Sequence, residues 1–261
     1  MNKTSLFIAT PGYQELVTFQ YARSLGDTYA LVRSLGITLD HAMFSASSLL
    51  CKCRNLLIKK FMETDATHML CIDADLGWPA EAVLGMMRAD KDIVVGLYPA
   101  RGLPDKFFYR PVTNENDCVV IENNLMRLTH APAGFMLIKR ESIQRMIDKY
   151  PERYANPKDP RNKKEDMYVF FNTEMHEGEF WGEDYMFCRL ATEAGLEIWA
   201  DLDIVFDHAG TVGNVRTTLI PVGSQSFEVG QPPSTDVHFN MDNSNCFSPP
   251  PKIEFDLLKD K

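Results

Sequence analysis

The sequence has no apolar run approaching the roughly 20 residues that cross a bilayer. Its start, MNKTSLFIATPGY, has one lysine and a short apolar stretch cut by Pro11, too little for a signal peptide. Positive charge is not in excess: 27 Lys+Arg against 36 Asp+Glu leave a net charge of −9. That balance disfavours a general polyanion binder, although a local basic groove is compatible with it. The six cysteines include no Cys-x-x-Cys pair, so the common zinc frames are excluded. Cys51 and Cys53 flank one residue in an expected helix, a poor geometry for chelation. All six read as reduced thiols of a soluble, cytoplasmic protein. No internal repeat and no second core of domain size is visible.

Apolar residues make up 45% of the 261 and charged residues 24%, an ordinary globular balance that excludes a mostly disordered or fibrous chain. Ser5–Thr10 reads as a buried strand stopped by Pro11-Gly12. Leu16–Leu35 has helical spacing and ends near Gly36. Ile37–Phe44 reads as a strand, Ser45–Ser48 offers N-caps, and Leu49–Glu63 follows as a helix. Thr67–Asp73 is apolar almost throughout, as suits a strand buried on both faces. Pro79 suits the first position of a helix over Ala80–Arg88, and Asp92–Tyr98 reads as the next strand.

This alternation predicts an α/β fold with a mostly parallel central sheet. Phe107–Ile121 is irregular, with room for antiparallel hairpins. Gly134–Lys139 reads as a strand and Glu141–Lys149 as a helix. Residues 150–166 are polar, with three prolines and a charge run, and read as an exposed or mobile loop able to close over a ligand. Glu183–Ala194 reads as a helix and Glu197–Phe206 as a last strand. The expected organisation is one domain over residues 1–220 and a polar C-terminal tail or arm over 221–261.

Four segments carry candidate chemistry. Asp73-Ala74-Asp75 directly follows the apolar strand. On extended backbone, residues i and i+2 share a face, so both carboxylates would meet one point beyond the strand's carboxyl end. Two hard oxygen ligands suit Mg²⁺ or Mn²⁺, and equally suit two solvated residues of a turn. Phe180-Trp181-Gly182-Glu183-Asp184 puts an acidic pair at a helix start, where the dipole tolerates negative charge. There a carboxylate can act as general base and Trp181 can stack on a ring, or the segment is simply an acidic first turn with a core tryptophan. His208, after Asp207, has the chemistry of a metal ligand, though a lone histidine after a strand is more often structural. Ala131-Pro132-Ala133-Gly134 is a small-residue turn that leaves room for a ligand or for tight packing. Arg54 and Asn55 either reach a phosphate or sugar or, for Arg54, lie on a solvated helix face.

Taken in order, FIATPGY, Arg54-Asn55, CIDAD, PAGFMLIKRE, FWGEDYMF and the closing DHAG resemble a GT-A glycosyltransferase. The style is closest to family-2-like enzymes, including short stand-alone ones of large DNA viruses and phages. The likeness spans roughly residues 5–215. It implies a GT-A (Rossmann-like) domain, a nucleotide-diphosphate sugar as donor, with UDP favoured, and Mn²⁺ or Mg²⁺. It implies Asp73 on ribose or metal, Asp75 on the metal, and His208 as a third ligand. It implies Asp184 as catalytic base with Glu183 beside it, Thr10 and Pro11 at the nucleotide base, and Gly134 beside the acceptor. Glu15 is a candidate for the acidic residue that touches uracil. Inverting transfer to an acceptor hydroxyl follows, the acceptor being a glycan or a hydroxylated DNA base. For DNA, a basic groove from Lys139, Arg140, Arg161, Lys163 and Lys164 is available, as is a plainly solvated charged loop. The rival readings are a sugar-phosphate nucleotidyltransferase, whose usual Gly-rich opening loop is missing here, and a non-catalytic binding or assembly protein.

Overall fold

The computed structural model describes residues 4–12, 16–44, 49–100, 106–156, 166–210 and 213–217, with backbone alone from 208 onward. The N-terminal part runs β1 (Ser5–Pro11), α1 (Phe19–Ser34), β2 (Thr38–Phe44), α2 (Leu50–Met62) and β3 (His68–Ile72). Next come β4 (Leu76–Gly77), α3 (Ala80–Arg88), β5 (Ile93–Gly96), β6 (Arg110–Pro111) and β7 (Ile121–Glu122). The middle holds β8 (Leu125–His130), β9 (Phe135–Lys139), α4 (Arg140–Lys149), β10 (Tyr154–Ala155) and β11 (Met167–Tyr168). The last elements are β12 (Glu174–His176), β13 (Glu179–Trp181), α5 (Glu183–Glu193), β14 (Ile198–Asp201), β15 (Phe206–Gly210) and β16 (Gly213–Thr217).

The main sheet has the order β2-β1-β3-β9-β5-β14-β8-β6, with β7 beside β8. β1, β2, β3, β5 and β14 run one way, and β9 is inserted antiparallel between β3 and β5. The fold is therefore the expected α/β class with a sheet mostly parallel at its core. A strand buried on both faces needs apolar residues at every position, and β1, β3 and β9 supply them. Along β1, Leu6 and Ile8 join Tyr21 and Val32 of α1 on one face, while Phe7 and Ala9 join Leu57, Ile58 and Phe61 of α2 on the other. α1 buries Tyr21, Ser24, Thr28 and Val32, one helical stripe, and the Thr18 hydroxyl caps it by accepting the Tyr21 N–H at 3.3 Å.

Several expectations need correction. The expected strand 197–206 is two strands in two sheets. β14 ends where Asp201 Oδ1 accepts the Asp203 N–H at 3.0 Å, an Asx turn that redirects the chain. β15 then pairs with β4 and β16 in a separate small sheet. Pro79 is the cap of α3 rather than its first residue. Within the 150–166 segment, Tyr154 and Ala155 pair with Tyr168 and Met167, so its entry is tied down. Residues 157–165 of that segment, the caps expected at 45–48, Glu15 and the 221–261 tail lie outside the described residues. The hairpin β12–β13 was not expected, and Glu177 (φ 51°) and Gly178 (φ 84°) turn it.

Lys139 and Arg140 do not line a groove near the expected site. Lys139 pairs with His68 at the opposite end of β3 and binds Asp90. Arg140 donates to the carbonyls of Phe61, Thr64 and Ala66, closing the end of α2. Arg161, Lys163 and Lys164 fall outside the described residues. The five described cysteines are free thiols, and no helix among the described residues is long and apolar enough to cross a membrane.

β5 ends on Gly96 because nothing larger fits. A Cβ there would stand 2.3 Å from Phe206 Cζ and 2.9 Å from Phe135 Cδ1, both rings being fully buried. Gly96→Ala is expected to cost about 1–3 kcal/mol by overpacking. Urea denaturation measures it, and an unchanged midpoint contradicts the packing described.

Candidate active site

The site forms at the carboxyl ends of β3 and β5, where ligand crevices of open α/β sheets lie. After β3 the chain does not stay extended. Leu76 N–H bonds back to the Asp73 carbonyl at 3.3 Å, so residues 73–76 form a turn that enters β4. The argument that Asp73 and Asp75 share a strand face therefore fails. Asp73 points inward, with Oδ1 taking a bond from Arg54 Nη2 at 2.9 Å. Its Oδ2 lies 2.4 Å from where a Gly134 Cβ would be, and Tyr98 Oη lies 2.1 Å from the same point. Gly134 is a glycine because those two oxygens occupy its side-chain space. Tyr98 Oη accepts the Gly134 N–H at 3.0 Å, and burial first, then Asp73 and Asp184, hold its pKa well above the usual phenol value.

Arg54 is the centre of the site rather than a residue on its surface. Its side chain is 2% exposed. Nη1 donates to Glu183 Oε1 at 2.8 Å and to Asp184 Oδ1 at 2.6 Å, while Nη2 holds Asp73. The guanidinium also sits 5.6 Å over the Phe171 ring, which stacks on Phe187. Burial alone would lower its pKa, but the carboxylates of Asp184, Asp73 and Glu183 overcome this and raise it. At this depth its terminal nitrogens are taken up by the three carboxylates. Asn55 is likewise used internally: its Oδ1 accepts the N–H groups of Phe170 and Phe171 at 3.0 and 2.9 Å, and its Nδ2 donates to the Phe171 carbonyl at 2.7 Å. Asn55 thus fixes the segment whose ring supports Arg54.

Glu183 and Asp184 open α5, with Gly182 at the cap position. Their side chains are 21% and 25% exposed, so each has one side on Arg54 and one toward solvent. Burial raises the Asp184 pKa from 3.8 to about 6, Arg54 opposes that, and Glu183 and Asp73 add to it; the Ala133 N–H bonds the carboxylate. The structure brings Asp73 and the Glu183-Asp184 pair onto one guanidinium. Thr10, expected at the nucleotide base, is fully buried, and its hydroxyl bonds Tyr21 Oη and His41 Nε2. Pro11 is also buried, at the end of β1.

A cleft of about 570 Å³ opens over Glu183 and Asp184. Trp181, Tyr185, Phe108 and Phe180 wall it, with Arg110 and Glu179 beside them. Phe180 is 71% and Phe108 47% exposed, and the Lys106 ammonium stands 5.3 Å over the Phe108 ring. The Trp181 ring is held edge-on by His130 and His176 at 4.8 and 4.7 Å. Tyr98, Phe171, Phe108 and Arg110 were not singled out in the sequence. The first two have a partial signal, an aromatic ending a strand and a Phe-Phe pair; the other two have none.

For a divalent cation the oxygen donors decide. One guanidinium faces three carboxylates, which leaves the cluster a formal −2, and Asp75 follows on the same turn. β15 sets His208 opposite Leu76, in register beside Asp75. Hard oxygen donors of this kind suit Mg²⁺ or Mn²⁺, and Asp73, turned onto Arg54, fits direct ligation less well. Among the described residues no three His, Cys, Asp or Glu side chains are grouped to hold a metal by themselves. The residues therefore suit an ion that shares its shell with a ligand's oxygens.

No protein-family model matches the chain, and no curated protein matches it. Solved structures similar to it include A197 from STIV, at TM-score 0.47 and 17% identity over 79% of this chain and 85% of that one. GalNAc-T7 with UDP, GalNAc and Mn²⁺ is similar at TM-score 0.47 and 10% identity, over 79% of this chain and 44% of that one. The chain thus spans less than half of that enzyme. A nucleoside-diphosphate-sugar pyrophosphorylase from Vibrio cholerae RC9 is similar at TM-score 0.38 and 12% identity, over 75% of this chain and 90% of that one.

Removing Arg54 leaves three carboxylates facing one another. Arg54→Met is expected to cost about 3–5 kcal/mol at pH 7, the usual penalty for orphaning buried charge. Denaturant titration reads it, and a loss under about 1 kcal/mol contradicts the burial described. Asp184 adds a pH signature. Its folded pKa lies above 3.8, so it favours the folded state in acid and that contribution is lost as pH rises to about 6. In Asp184→Asn this slope should vanish; a slope identical to the wild type assigns it elsewhere.

Proposed function

We propose that the chain is a metal-dependent glycosyltransferase. It moves a sugar from a nucleotide-diphosphate sugar, most simply a UDP-sugar, to an acceptor hydroxyl with inversion. The observation that supports this above all is the Asp184 carboxylate: partly exposed on the wall of an aromatic cleft, and held through Arg54 to Asp73 at the end of β3.

In this reading the donor diphosphate lies at the 73–76 turn and the acceptor on the Trp181 side. Asp75 and His208 would hold the ion, which when bound supplies a Lewis acid to the leaving diphosphate. Asp184 takes the proton of the acceptor hydroxyl on the oxygen that Arg54 does not hold. The acceptor oxygen forms its bond to the anomeric carbon as the bond to diphosphate breaks and its electron pair leaves with phosphate. Glu183 keeps Arg54 seated while this happens, and it adds negative potential near an oxocarbenium-like centre. Trp181, Phe180 and Phe108 give flat faces on which an acceptor ring rests.

Asp184→Asn is expected to lower transfer by 10²–10⁴-fold, the usual worth of a general base, while UDP binding by calorimetry stays within a few-fold. A near-active variant removes Asp184 from the role. The wild-type rate should rise with pH through about 6 as Asp184 ionises. Ligand identity comes from thermal melts against nucleotides and nucleotide sugars, with Mn²⁺ and with chelator. A metal-dependent rise with one nucleotide sugar supports the reading. Turnover of a nucleoside triphosphate with a sugar phosphate, releasing pyrophosphate, replaces it with nucleotidyl transfer.

A further inference from the structure

Arg54 does more than neutralise charge, because its two terminal nitrogens face different parts of the site. Nη2 holds Asp73, on the turn after β3; Nη1 holds Asp184 and Glu183, on the first turn of α5. These partners come from two separate elements of the fold, and one rigid planar group spans them. The plane is held in orientation, so it shifts as one unit with its partners. It lies over the Phe171 ring, that ring stacks at 4.4 Å on Phe187 within α5, and Asn55 pins the Phe171 backbone from the next position of α2. Its Nε is buried without a hydrogen-bond partner among the described residues, so no bond at the stem competes with the fork.

We propose that Arg54 is a positioning residue that couples the two ends of the site: a displacement of Asp73 when the donor binds is carried through the guanidinium to Asp184. This rests on the glycosyl-transfer reading above for its catalytic consequence. The geometry requires a fork. A lysine amine is one point charge and cannot hold partners on two edges at once.

Two measurements on the full chain test it. The first is hydrogen exchange with UDP and Mn²⁺ as the probe, followed at residues 71–78 and 180–187. In wild type both segments should gain protection. In Arg54→Lys, protection should persist at 71–78 and be lost at 180–187. Equal protection of both segments in the variant overturns the coupling. Protection of 71–78 alone in wild type also overturns it and leaves the donor reading standing, whereas no protection in either segment overturns both.

The second is hydrolysis of UDP-glucose, UDP-galactose and UDP-N-acetylglucosamine, with water as acceptor. Arg54→Lys should lose roughly 10–100-fold in kcat, the scale expected of a small misplacement, with KM for the donor within about threefold. A folded variant within threefold of the wild-type kcat overturns the proposal. If the lysine variant does not fold, Arg54→Ala with ethylguanidinium supplies the same decision: kcat recovered by the added cation supports positioning. Melting temperature recovered with no gain in kcat reduces Arg54 to a structural charge.

Discussion

A charge taken out of water must be met inside the protein, and here that one demand organises the site. Arg54 is carried on a helix that packs flat on the sheet, so its guanidinium has no route to solvent. Its desolvation is tolerable only if carboxylates come to it. Asp73 comes from the end of β3 and Glu183 and Asp184 from the start of α5. The carboxylates in turn stand closer together than they could without the cation. Each side of the arrangement makes the other affordable.

The surrounding structure reads as support for that exchange. Asn55 spends its whole side chain on the backbone of Phe170 and Phe171, and the Phe171 ring then forms the floor under Arg54. Gly134 vacates the volume that Asp73 Oδ2 and Tyr98 Oη fill. α5 begins at the point where its first turn can place both acidic side chains toward Arg54. None of these groups has to contact a substrate, yet all of them set where Asp184 stands.

Most of the main layers were legible in the sequence. Continuous apolar runs marked β1, β3 and β9, and helical spacing closed by Gly36 and Gly195 marked α1 and α5. The paired strands of two or three residues were not legible, because a two-residue strand has no periodicity to detect. The hairpin β12–β13 carries polar and aromatic residues that suit a loop as well. The acidic motifs were found by type and order, but the local geometry at Asp73 was misjudged, since a turn and an extended end look alike in Asp-Ala-Asp. Arg54 was noticed, but its partners were not, for a different reason. Its partners lie 19, 129 and 130 residues away, and no local rule tells a helix-face arginine from one that closes a site across the fold. The partners of Asn55 were hidden in the same way, being 115 and 116 residues distant.

The reversed strand β9 has one more effect. Its parallel neighbours β3 and β5 finish at the cleft, whereas β9 starts there, so the chain enters it through residues 131–134 with amide hydrogens still uncommitted to the ladder. The Ala133 amide goes to the Asp184 carboxylate and the Gly134 amide to the Tyr98 oxygen. A sheet of uniform direction would have no strand entry at this rim. Turning a single strand around lets the main chain itself act as a solvent for anionic oxygens, and at Gly134 it does so where no side chain would fit.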